Sequence, residues 1–170
     1  MTKNIHKVEE LITDSSITYK GVVTTEKVFN NKVLETTTTH NEGHKDLFKL
    51  LANSIAGVYD LDIIPRYICG YNQYSESTGL LKQTFTGAIP YSSKKVQAQS
   101  SGDGYQIVFS FLIPYSQISA SVSTKYYGLY SDPNLTTLIA HIDLGEGYKG
   151  DGVTNRVVTW TMFIGNSNNQ

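Results

Sequence analysis

The sequence predicts a mainly β fold: a single-domain antiparallel β-sandwich, or a barrel-like variant, with one amphipathic α-helix near residues 45–56. Three observations carry this. Short runs rich in Val, Ile, Thr, Tyr and Phe recur along most of the chain, separated by Gly, Asn and Pro turns. Only one stretch has strong helical periodicity. The length, 170 residues, suits one domain with a substantial core.

Residues 1–16 read as a polar N-terminal arm, with Val8, Leu11 and Ile12 at helical spacing. The β-rich domain then runs over 17–164, and 165–170 form a polar tail. Ile17–Phe29 and Lys32–Thr39 read as the arms of a long hairpin around Asn30-Asn31, because Asn tolerates positive φ. The exposed face of this hairpin is expected to be rich in Thr.

Leu47, Phe48, Leu50, Leu51 and Ile55 form the helical stripe, and Leu47, Phe48, Leu51 and Ile55 are assigned to the core. Asp46 suits the helix dipole in the first turn, and Gly57 suits a left-handed C-terminal stop. Strands are then expected at Ile63–Cys69, Leu80–Thr86 and Tyr105–Ile113, the last ended by Pro114, with Ile89–Ser92 and Lys95–Gln99 as either one interrupted strand or two short ones. Residues 71–79 look like the main interior loop. Val122–Tyr130, His141–Leu144 and Val157–Ile164 complete the set. Phe109 and Phe111 are core candidates. On the closing strand Trp160 shares a face with Val158 and Met162, and that face is read as core.

Composition excludes some functions. Net charge is −1 and the longest basic cluster is Lys94-Lys95, which argues against nucleic-acid binding. Charged residues make up 17%, below the usual value of about 25%. The single cysteine, Cys69, lies in an apolar run and reads as a buried structural thiol. No run reaches the length of a membrane span, and none near the N-terminus resembles a signal peptide. The expectation is a protein made in a cytoplasm, with no membrane partner.

No motif names a reaction. There is no Walker loop, dinucleotide fingerprint or nucleophile elbow. The glycines of 145–152 precede a β-run rather than a helix, which disfavours phosphate binding there. Asp143, Glu146 and Asp151 do not follow an EF-hand spacing. His40 and His44 straddle Gly43, so one helix does not hold both. No catalytic residue, metal or cofactor is assigned. Tyrosine is abundant, with 12 residues; Tyr67, Tyr71 and Tyr74 are candidates for stacking on a glycan.

Tyr127-Gly128-Leu129-Tyr130, the turn Ser131-Asp132-Pro133-Asn134, Leu138-Ile139-Ala140 and Val157–Ile164 together resemble a stretch common in virion proteins of tailed bacteriophages. Tyr127 stands where that pattern usually has Ile, and Leu135-Thr136-Thr137 lengthens the turn. The resemblance implies a non-enzymatic virion structural protein, in tail, collar or neck, fibre or capsid surface. It would be made in the host cytoplasm, reside in the virion, and form homo-oligomers with other copies and other virion proteins. The expected contact elements are the arm, the hairpin tip (Val28, Phe29, Asn30, Asn31 and Lys32) and the 145–152 loop with Gly147, Tyr148 and Lys149. The alternative is a carbohydrate-binding or host-recognition module built on the Tyr67–Tyr74 segment. An enzyme or a host-protein inhibitor is a third class, without a supporting motif.

Overall fold

The computed structural model describes residues 17–42, 52, 53, 55–57, 64–99 and 104–166. Among these it is mainly β, with two antiparallel sheets packed as a sandwich. The strands are β1 (Ile17–Phe29), β2 (Lys32–Glu42), β3 (Tyr67–Ser75), β4 (Gly79–Gln83) and β5 (Ile89–Pro90). They continue with β6 (Ser93–Ala98), β7 (Gly104–Ile113), β8 (Thr124–Tyr130), β9 (Leu138–Tyr148) and β10 (Asn155–Asn166). The first sheet has the order β2-β1-β10-β7-β6. The second has the order β4-β3-β8-β9, with the short β5 also paired to β3.

The first sheet is organised around β10. It pairs with β1 on one side and β7 on the other, so Trp160 stands opposite both Val23 and Phe109. Side chains alternate across a strand. Val158, Trp160 and Met162 therefore face the second sheet and are buried, together with Phe109 and Phe111. Thr159, Thr161 and Phe163 occupy the other face and are only half-buried. The second sheet contributes Ile68, Tyr127, Leu129, Ile139 and Ile142 to the same core. Burying a residue as large as Trp160 or Phe111 gains about 1.5–3 kcal/mol or more each.

Three expectations change. Residues 71–75 are not a loop: β3 runs to Ser75, and the turn is confined to the three residues before Gly79, whose φ is 77°. The polar look of Asn72, Gln73 and Ser75 comes from a strand segment whose partner β4 is itself largely exposed. Second, β9 continues through the glycines to Tyr148, which shortens the connection to β10. Third, Ile55 is not core but 74% exposed. Ala52, Asn53 and Ile55 are helical, and the Ala56 amide donates to the Ala52 carbonyl. Gly57, at φ 73°, closes that last turn, which leaves Ile55 facing solvent. Leu47, Phe48 and Leu51, the arm over 1–16 and residues 167–170 lie outside the described residues.

Candidate functional site: the hairpin edge and the cleft beside it

The β1–β2 hairpin turns at Asn30 and Asn31, with φ of 49° and 59°. Positive φ at both central residues defines a two-residue turn whose twist matches the strands it joins. Lys27 pairs with Glu35 but Val28 pairs with Val33, so Leu34 is an extra residue bulged from β2. Phe29, Val33 and Leu34 are all exposed at this tip, as are Asn30, Asn31 and Lys32, while Val28 is half-buried. β2 is an edge strand. From Lys32 to Thr38 its side chains are exposed on both faces. One edge pairs with β1; among the described residues the other edge has no strand beside it.

The inward side of this hairpin is polar. Glu35, Lys27 and Arg156 form one cross-strand row; Thr37, Thr25 and Val158 form the next; Thr39, Val23 and Trp160 the third. The first row is charged throughout, and the other two grade from polar at β2 to apolar at β10. The polar end does not close on the second sheet. A cleft of about 300 Å³ remains there, lined by Thr25, Lys27, Glu35, Thr37 and Thr39 on one wall. Arg156 of β10 continues that wall, and Leu144, Gly147, Tyr148 and Lys149 line the other side.

Hydroxyl groups tie the cleft floor together. Tyr127 OH shares hydrogen bonds with Thr25 Oγ1 at 3.2 Å and with Tyr148 OH at 2.7 Å. Burial pushes the Tyr127 phenol up to about 12, against the lowering effect of those two bonds and of Arg156. Burial likewise raises Tyr148 well above an ordinary phenol. The Arg156 guanidinium stacks on the Tyr148 ring, 4.2 Å from its centroid. Lys27 reaches Asp151 Oδ2 at 3.7 Å. Asp151 also accepts hydrogen bonds from the Val153 and Thr154 amides and the Thr154 hydroxyl. The Thr154 hydroxyl, these amides and Lys27 hold its carboxyl well below the usual range.

Of Gly147, Tyr148 and Lys149, only Lys149 is exposed. Gly147 packs on the Thr124 carbonyl, and Tyr148 is bound into the cleft wall. Up to Tyr148 the stretch 145–152 is therefore part of β9, while residues 149–152 belong to the connection to β10, where Asp151 and Gly152 are exposed. Arg156 was not among the expected site residues. The signal was present: it is in phase with Val158, Trp160 and Met162, so alternation places a charge on the core face.

The three tyrosines considered for glycan stacking do not form a common platform. Tyr71 is buried, and its oxygen accepts a hydrogen bond from Tyr130 OH at 2.8 Å. Its assignment to glycan contact is corrected on that ground. Tyr67 is half-buried beside a hollow of about 360 Å³ shared with Arg66, Ser131 and Asp132. Tyr74 is 37% exposed and stacks on His141, with centroids 4.3 Å apart. Cys69 is buried, and burial pushes its thiol up to about 11, which suits a structural role.

Among the described residues no group of three His, Cys, Asp or Glu side chains comes together, and no helix is long and apolar enough to cross a membrane. No protein-family model matches the chain, and no curated protein or solved structure matches it.

Proposed function

We propose that this chain is a non-enzymatic structural subunit of a tailed-bacteriophage particle, and that it docks onto further copies of itself through β2. The observation that carries the docking is the state of that strand. β2 is eleven residues long, exposed on both faces over most of its length, and, among the described residues, unpaired along one edge. Edges in monomers are usually blunted by charge, proline or short length. Here Thr36–Thr39 present four uncharged residues in a row, and the bulge is confined to the tip. Backbone pairing along such an edge gives affinity, and the threonines add cross-strand contacts. The placement in a phage particle rests on the resemblance of residues 126–164.

Adjacent residues of a strand direct their amides to opposite sides. Of Thr37 and Thr38, therefore, one amide faces β1 and the other faces the free edge. Proline at the outward position removes a docking donor while the hairpin ladder survives. The expected result is a multimer at micromolar concentration for the parent chain, measured by light scattering. One of Thr37→Pro and Thr38→Pro should then give a folded chain of monomer mass. A parent chain that remains monomeric, or multimers that survive both prolines, would sink the reading.

A further inference from the structure

We propose that the cleft between the hairpin and β9 is a binding site for a small hydroxylated anion of the sugar-acid or sugar-phosphate type. Lys27 and Arg156 stand directly opposite each other on β1 and β10. Like charges in that position repel and need compensation. Lys27 has its counter-ion in Asp151. Arg156 has none: among the described residues Lys27–Asp151 is the one ion pair. Arg156 is only 7% exposed, and its Nε has no hydrogen-bond partner. The Tyr148 ring holds the guanidinium by one face, which leaves its edge to donate hydrogen bonds.

A buried guanidinium with an unpaired donor and no carboxylate is a poor device for stability alone, because its desolvation is uncompensated. As a receptor it is preorganised. Its planar fork matches a carboxylate or a phosphate. The cleft adds Lys149 on the opposite wall, so that besides the paired Lys27 two cations and one carboxylate, Glu35, line it. That carboxylate is what favours a hydroxylated ligand over a bare anion. Glu35 and the Thr37 and Thr39 hydroxyls can take sugar hydroxyls while the acid group sits on Arg156. The volume, about 300 Å³, is at the lower end for small-molecule sites and admits a ligand of monosaccharide size.

The test is calorimetric titration of the full chain with glucuronate, glucose 1-phosphate and glucose. Glucuronate, glucose 1-phosphate or both should bind with a dissociation constant of about 1 mM or tighter, and glucose at least about tenfold more weakly. The arm that binds identifies the acid group as carboxylate or phosphate. Arg156→Gln should abolish binding. The exposed Lys149→Glu, whose fold is checked by circular dichroism, should weaken it by about threefold or more. Should Arg156→Gln fail to fold, Lys149→Glu decides the matter. Binding of neither anion, glucose binding equally well, or an affinity unchanged by Lys149→Glu would overturn the assignment.

Discussion

Thr25 on β1 and Tyr127 on β8 belong to different sheets, yet their hydroxyls lie 3.2 Å apart in the buried space between them. Tyr127 passes the connection on to Tyr148 on β9, so one phenol links three strands. Tyr127→Phe keeps the ring and removes both bonds. It should cost about 1–2 kcal/mol at neutral pH, measured by chemical denaturation. There is a pH signature as well. An unfolded tyrosine loses its proton near about pH 10, whereas burial keeps Tyr127 protonated up to about 12. The native state therefore holds the extra proton, and stability falls as pH rises through that window. Tyr127→Phe should show a shallower alkaline loss than the parent.

Trp160 is fully buried between Val23 and Phe109. Trp160→Ala should cost about 3–5 kcal/mol by loss of transfer energy plus the cavity left behind. Urea denaturation followed by circular dichroism measures it. A midpoint unchanged from the parent would show that the indole does not hold the sheets together.

Gly145 and Gly147 share a positive φ, 72° and 70°. Their surroundings differ. A Cβ at Gly145 would meet nothing within 4 Å, whereas one at Gly147 would overlap the Thr124 carbonyl. Gly145→Ala should cost only the left-handed strain of about 1–2 kcal/mol. Gly147→Ala adds displacement of β9 from β8 and should lower the melting temperature clearly further. Equal shifts for the two variants would contradict this register.

Asp151 has its folded proton affinity lowered by Thr154, the Val153 amide and Lys27. A lowered carboxyl contributes stability above its unfolded value and loses it as pH falls through the folded one. The loss should thus begin near about pH 4, where an unfolded Asp titrates, and continue below it. Asp151→Ala should be less stable than the parent at pH 7, and the gap should narrow on acidification. The side chain is 36% exposed, so solvent screening keeps the effect small. Denaturation curves at pH 7, 4 and 2.5 would show it; a gap independent of pH would remove the charge from the account.

The hairpin was legible from Asn30-Asn31 and its β-branched arms, because a two-residue turn is a local property of φ. The two phases of the closing strand were legible for the same reason: alternation is set by the pleat, residue by residue. Polar content misled the reading of Tyr71–Ser75, since a strand with an exposed partner looks like a loop in sequence. The burial of Tyr71 depends on Tyr130, 59 residues away, and no local pattern announces that pair.

By itself the sequence determined the β class, the hairpin turn and which residues of β10 alternate together. These follow from backbone sterics and a period of two. Tertiary structure alone decided that β10 lies between β1 and β7, which joins the two ends of the domain in one sheet. It also decided that the polar inward face of β2 is left uncovered beside β9, with Arg156 set against Lys27. Partner choice and sheet overhang arise from long-range burial, which rewards the apolar rows around Trp160 and leaves the charged row open.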